Sequence, residues 1–353
     1  MAQIDAYLTE VLQKRGSDLH FIAGDPPRIR LYGDISPLRP ERLAPEVVKQ
    51  ALYEIMPKPA LERFESKDGA DFAYSIPEHG RFRVNVMRHV NGMGAVFRAI
   101  PSTALTMDEL KLPEAVRQMS RANNGLILVT GKTGSGKSTT LAAMIDDINR
   151  RVKGHILTIE DPIEFVHERK SCLISQREIG VHAPSFAAAL HSALREDPDV
   201  ILVGELRDYE TMSIAVTAAE MGILVMGTLH TNGAAPTVDR MVNAFPSDKQ
   251  SHVRTMLSTS LRGVVSQQLL QRADKQGRVA ALEILVNTPA ASNLIRQGKL
   301  DQLENTMQAG GAFGMRTMDT AIQQLLESRQ ITGKEAYKKA INKGKFEAVK
   351  DVG

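Results

Sequence analysis

The sequence predicts an α/β protein: a mostly parallel β-sheet with helices on both faces, preceded by a smaller mixed α/β unit. Three observations carry this. Apolar strand-like runs at 125–130, 155–160, 199–204, 223–229 and 279–286 alternate with helical patterns, the grammar of βαβ units. The first of these, G-L-I-L-V-T, is continuously apolar, as a strand buried on both faces of a parallel sheet must be. Before about residue 100 the runs are instead short, alternating and separated by Gly, Pro and Asn-Gly turns, which points to antiparallel pairing.

Along the chain, residues 3–15 read as an amphipathic helix with Ile4, Leu8, Val11 and Leu12 inward, ended by Gly16. The stretch F-I-A-G-D-P-P-R-I-R-L-Y-G-D-I (21–35) reads as short strands broken by turns, and 45–66 as helical. R-F-R-V-N-V-M-R (81–88) alternates with period two, and Asn91-Gly92 signals a hairpin before G-A-V-F-R-A-I (94–100). These residues form the first predicted domain, 1–100. The proline-bounded segment 101–113 is the predicted linker, and 114–353 the second domain, nearly all helical beyond 287. Near the C-terminus Lys334, Lys338, Lys339, Lys343 and Lys345 are interspersed with Glu335, Glu347 and apolar residues, the pattern of a solvated helix face.

Composition narrows the function classes. The chain has 353 residues, 42% hydrophobic and 24% charged, which suits a soluble protein of two domains. A formal net charge of +3 with no Trp argues against nucleic acid as the main partner. A single cysteine, Cys172, excludes an internal disulfide framework and a tetracysteine zinc site. The N-terminus lacks the apolar core of a signal peptide, and no apolar stretch approaches the ~20 residues that span a bilayer. A cytoplasmic protein without direct membrane insertion is expected, with any membrane contact made through a partner.

Immediately after the first parallel strand stands G131-K-T-G-S-G-K-S138, a complete G-x-x-x-x-G-K-S P-loop. A helical pattern follows, with Leu141, Met144, Ile145, Ile148 and Val152 at helical spacing. Gly131, Gly134 and Gly136 let backbone N–H groups curl around a phosphate without a Cβ in the way. The helix beginning near Lys137 adds the positive end of its dipole. Lys137 is placed to reach the β- and γ-phosphates of a nucleotide and Ser138 to ligate Mg²⁺. Thr133, Ser135 and Thr139 complete the candidate nucleotide-binding set.

Ligands of an open parallel sheet bind beyond the carboxyl ends of its strands, and polar groups gather there. H-I-L-T-I-E-D-P-I-E (155–164) ends in Glu160 and Asp161, with Glu164 following. D-V-I-L-V-G-E-L-R-D (199–208) ends in Glu205, and I-L-V-M-G-T-L-H-T (223–231) in Thr228, His230 and Thr231. In ordinary P-loop ATPases an Asp at the position of Gly204 helps hold Mg²⁺. Its absence shifts that task to Glu160, Asp161 or Glu164, although Asp161 before Pro162 is equally suited to a turn. Glu205 is the expected polariser of the attacking water, and His230 the group that senses the γ-phosphate or bridges to Glu205. On the hairpin, Arg83 and Arg98 are candidates to reach the γ-phosphate across a domain or subunit boundary.

The P-loop, I-E-D-P-I-E-F (159–165), L-R-E-D-P-D-V-I-L-V-G-E-L-R-D (194–208) and G-T-L-H-T (227–231) together resemble the secretion and type IV pilus ATPases. R-G-S-D-L-H (15–20) and G-R-F-R-V-N-V (80–86) extend the likeness over nearly the whole chain. The short N-terminal part and the C-terminal helices are similar to the retraction (PilT-type) branch. The resemblance implies a PAS-like domain followed by a RecA-like ATPase domain, with ATP and Mg²⁺ as cofactors. It also implies a homohexameric ring acting on an inner-membrane pilus platform protein to power retraction and twitching. Two departures stand out. The family's histidine box opens with Gly-His, whereas this chain has Gly222-Ile223, and the C-terminal retraction motif reads A-A-S-N-L-I-R-Q (290–297), with Ala291, Ser292 and Gln297 replaced. They leave open an accessory subunit working beside a paralogous retraction ATPase.

Overall fold

The computed structural model describes residues 2–31, 34–67, 69–77, 79–100 and 104–352. The chain divides into two compact units with the break between residues 103 and 104. Residues 101–103, the start of the predicted linker, lie outside the described set.

The first unit is built on strands β1 (Asp18–Ile22), β2 (Arg28–Leu31), β3 (Asp34–Pro37), β4 (Gly69–Ile76), β5 (Gly80–His89) and β6 (Gly92–Ile100). They form one antiparallel sheet in the order β3-β2-β1-β6-β5-β4. Alternation on β5 puts Phe82, Val84 and Val86 into the core, where they join Ile4, Leu8 and Val11 from the helix Asp5–Gln13. Leu12 is only half-buried.

One expectation needs correction here, and the hairpin expected at Asn91-Gly92 is present. Residues 45–66 are not one helix but two, Pro45–Ile55 and Lys58–Lys67. Met56 before Pro57 is extended (φ −71°, ψ 122°), because a following proline disfavours the helical region. The β5–β6 ladder closes at His89↔Gly92, so the two-residue loop is Val90-Asn91. Gly92, at φ 122°, takes the first rung instead.

The second unit carries β7 (Gly125–Thr130), β8 (His155–Glu160), β9 (Leu173–Glu178), β10 (Val200–Val203), β11 (Leu224–Leu229), β12 (Leu261–Gln271) and β13 (Arg278–Val286). Their order is β13-β12-β7-β11-β10-β8-β9. Every pairing is parallel except β12–β13. The run 279–286 was expected among the parallel strands but returns as the antiparallel partner of β12. Neither β9 nor β12 is legible as a strand in the sequence: β9 is a half-buried edge with Ser175, Gln176 and Arg177, and β12 begins directly after the helix Gln250–Ser260 with no turn residue between.

The continuous apolar character of β7 has a direct cause. Leu126 and Leu128 face one core cluster and Ile127 and Val129 the other, so both faces are covered. Each such side chain contributes about 1.5–3 kcal/mol by leaving water. The helix Lys137–Arg151 covers the second face with Leu141, Met144, Ile145 and Ile148. Val152, expected on that stripe, is the residue beyond the helix end and is exposed. Met107 and Leu112 are buried in the same cluster. Among the described residues no helix is long and apolar enough to cross a membrane.

Candidate nucleotide-binding site

The loop between β7 and the helix Lys137–Arg151 is a tight cradle. Gly131 and Gly136 have φ of 138° and 92°. A Cβ on Gly131 would lie 2.4 Å from the Gln267 carbonyl oxygen, and one on Gly136 2.6 Å from Gln267 Nε2, so β12 presses on the loop from the side. Gln267 also accepts the Thr140 hydroxyl (2.8 Å). Lys137 Nζ donates to the Gly131 carbonyl (2.9 Å) and the Lys132 carbonyl (3.4 Å). Ser135 Oγ is buried without a partner. A glycine cradle that a Cβ would fill, an orphaned hydroxyl and a buried ammonium fit a phosphate chain. Burial lowers the Lys137 pKa, against the opposing pull of Glu205 and Glu164.

A cavity of about 390 Å³ opens beside this loop. Its walls bring together Thr133, Gly134, Gly136, Lys137, Ser138 and Thr139 with Glu160, Asp161, Glu164, Glu205 and His230. Gly131 and Ser135 are buried within the loop itself and do not border the cavity. Arg83 and Arg98 belong to the first unit. They face each other across the β5–β6 ladder and pair with Asp71 (3.9 Å) and Asp18 (2.9 Å).

The carboxylates differ in environment. Glu160 at the end of β8 is buried. Its Oε1 accepts from the Thr158 hydroxyl (2.7 Å) and Gln176 Nε2 (3.3 Å), and its Oε2 from the Glu164 N–H (3.1 Å). Burial raises its pKa, and these donors only partly offset the shift. Glu205 lies two residues beyond β10. It pairs with Arg207 (2.7 Å) and with His230 Nε2 (3.3 Å). Burial pushes Glu205 up, but Arg207 and His230 outweigh it and hold the carboxyl below the usual range. Asp161 and Glu164 are exposed on the cavity wall.

Gly204 packs closely on β8: a Cβ there would sit 3.2 Å from the Ile159 carbonyl oxygen and 3.3 Å from Glu160 Cα, tight enough that the neighbouring strand would have to shift by a few tenths of an ångström. Ile223, where the family has a histidine, precedes β11 at its N-terminal end. The six residues of β11, roughly 20 Å of strand, separate it from His230, so the missing histidine does not belong to this rim. In the helix Pro289–Gln297, Ser292 donates to the Ser258 carbonyl (2.6 Å), which gives one altered motif position a packing role. Asn293 is exposed and accepts from Arg296 and Gln297.

Several cavity residues escaped the sequence reading. Arg207, Phe165, His167, Phe186, Leu269 and Arg278 line the cavity. Arg207, inside the quoted G-E-L-R-D run, could have been found from its spacing to Glu205, and Phe165 closes the quoted I-E-D-P-I-E-F box; the other four carry no local signal. A second cavity of about 480 Å³ shares Gly136, Thr139, Leu269 and Arg278 with the first and continues between Leu110, Leu112, Val279, Ala280 and Leu325.

A strand–loop–helix cradle under the carboxyl rim of a parallel sheet defines the class: a P-loop nucleotide-binding protein. The comparisons go further. The family model described as type II/IV secretion system protein matches residues 1–345. The type IV pilus retraction ATPase PilT of Pseudomonas aeruginosa is 50% identical over 337 residues, covering 94% of this chain and 98% of that protein. The type IV pilus ATPase PilU of the same organism is 40% identical over 334 residues, covering 95% and 87%. The crystal structure of the pilus retraction motor PilT with bound ADP matches with a TM-score of 0.91 at 41% identity, covering 99% of both chains. The chain belongs to the type II/IV secretion system protein family, in its pilus-retraction ATPase branch.

Proposed function

We propose that this chain is an ATP-driven motor that powers type IV pilus retraction, and with it twitching motility. The observation that carries the reading is Glu205, ion-paired and anionic, on the same cavity wall as Lys137 of the P-loop. The loop amides and Lys137 hold the triphosphate. Glu205 orients a water whose oxygen attacks the γ-phosphorus, and His230 fixes Glu205 in place. The bond to the β-phosphate oxygen breaks, leaving ADP and phosphate, and the water's proton passes by way of Glu205 to the released phosphate or to solvent.

Mg²⁺ supplies charge neutralisation for the phosphate oxygens when bound. Among the described residues no group of three or more His, Cys, Asp or Glu side chains is placed to hold a metal alone. That suits an ion held by few protein ligands plus phosphate and water. Ser138, Asp161 and Glu164, which line the cavity, would hold the ion in this reading, while the Glu160 carboxylate is engaged by its three donors.

In the assembled motor we place six copies in a ring in the cytoplasm, acting on an inner-membrane platform protein, with Arg83 and Arg98 supplying charge to the γ-phosphate from across a boundary. A second reading, an accessory subunit beside a paralogous motor, is favoured by Ala291, Ser292 and Gln297 in the 290–297 segment.

ATP turnover and ADP binding by the purified protein test the main reading. Lys137→Ala is expected to lose both, and Glu205→Gln to lose turnover while keeping ADP. A wild-type rate no higher than these variants overturns it.

A further inference from the structure

Glu283 is a buried carboxylate that the hydrolysis reaction does not use. It lies on β13 opposite Ser266 of β12, and both side chains are buried. Its Oε1 accepts the N–H of Ala234 (2.7 Å), the first residue of the helix Ala234–Asn243. Its Oε2 accepts the N–H of Met318 (3.1 Å), the first residue of the helix Met318–Glu327. One carboxylate thus receives the positive ends of two helices that are far apart in sequence. Ser266 Oγ accepts the N–H of Gly233, the residue before Ala234 (2.8 Å).

The turn these groups grip is the one that carries His230. Beyond β11 the chain runs His230, Thr231, Asn232, Gly233 and into the helix Ala234–Asn243. Thr237 of that helix holds Thr231 by a hydroxyl contact (2.7 Å) and donates to the Gly233 carbonyl (2.6 Å). The turn is therefore fixed at its far end by Glu283 and Ser266 and at its near end by Thr231. His230 itself meets Glu205 at 3.3 Å. Burying a carboxylate without a cationic partner is costly, and raised-pKa desolvation marks it here. An apolar residue at this place would be cheaper to bury but would leave two helix N-termini unsatisfied.

We propose that Glu283 is a positioning residue of the hydrolytic site: by binding the N-termini of Ala234–Asn243 and Met318–Glu327 together, it sets the His230 turn against Glu205 and ties that turn to the C-terminal helices. This rests on the catalytic reading of Glu205 and His230 given above. A glutamine keeps one acceptor oxygen and turns an NH₂ group toward the other backbone N–H, so Glu283→Gln opens one arm of the clamp.

A double-mutant cycle on the full-length protein tests this. Glu283→Gln is expected to lower kcat about tenfold with KM for ATP and ADP affinity within twofold. In a His230→Ala background the same change is expected to alter the residual kcat by less than twofold, because the residue it acts through is gone. An unchanged kcat in the first background, or an equal fall in both, overturns the proposal, since a merely structural role would act in either. If Glu283→Gln does not fold, Ser266→Ala decides on the same criteria. It removes the acceptor of Gly233 with little change in volume and is expected to lower kcat about threefold in the wild-type background alone. An inactive wild type overturns the catalytic reading and this proposal together; an active wild type with an indifferent clamp overturns the clamp alone.

Discussion

The ends of β8 and β10 lie side by side in one sheet and each delivers a glutamate to the same cavity, yet the two carboxyls are driven in opposite directions. Glu160 is buried, satisfied by a hydroxyl, an amide side chain and a backbone N–H, and raised in pKa. Glu205 is less enclosed, faces Arg207 and His230, and is lowered. Residue type is the same and both stand at the carboxyl ends of neighbouring strands; surroundings divide the labour. Glu160 fastens the 160–164 turn, and Glu205 keeps its charge and an ion-paired position from which water can be oriented. The two histidines of the cavity repeat the contrast. His230 is half-exposed beside a carboxylate, whereas burial presses the pKa of His167 down to about 4.

The widest gap is expected between the two glutamates. Glu205→Gln should cost on the order of 10²–10⁴-fold in ATP turnover. Glu160→Gln, which keeps an acceptor for Thr158, should cost roughly tenfold or less, because it removes one acceptor from the 160–164 turn and leaves Glu205 in place. Comparable losses in steady-state kcat would erase the distinction.

His167 supplies a stability test. Its folded pKa of about 4 lies below the ordinary histidine value of 6.5. Between those limits the unfolded chain binds a proton that the folded chain does not, so stability falls as pH drops through 6.5. From pH 7 to pH 5 this amounts to about 2 kcal/mol. Urea denaturation midpoints should fall more steeply over that range in the wild type than in His167→Gln; parallel curves would remove the histidine half of the contrast.

Arg207→Ala should have the smallest effect. Without the guanidinium, Glu205 loses its strongest counterion, and the acid limb of the kcat profile should move toward higher pH by less than about one unit, with turnover near pH 8 almost unchanged. An acid limb that stays in place would mean that Glu205 is not the titrating group.

The sequence was a good guide wherever one local signal sufficed. The P-loop, the apolar run of β7 and the carboxylates at the strand ends were readable because phosphate binding and two-sided burial each demand a fixed residue pattern. Glu160, Glu205 and His230 were placed on one rim by topology alone, and the structure has them there. β12 was not readable, because its pairing is decided by β7 and β13, and Arg262, Ser266 and Gln267 interrupt its apolar character. The same gap hid Gln267, whose backbone limits the loop at Gly131. Nor could the sequence separate the roles of Glu160 and Glu205: how deeply each carboxyl is buried, and which of the polar groups near it in sequence or space turn toward it, are set by the tertiary packing. Ile223, a departure from the family pattern, stands at the N-terminal end of β11, away from the rim that carries His230.

β7 has strand neighbours on both edges and packed side chains on both faces. A bar held on four sides yields little when loaded. A load applied at the γ-phosphate therefore finds little compliance in the strand beneath it.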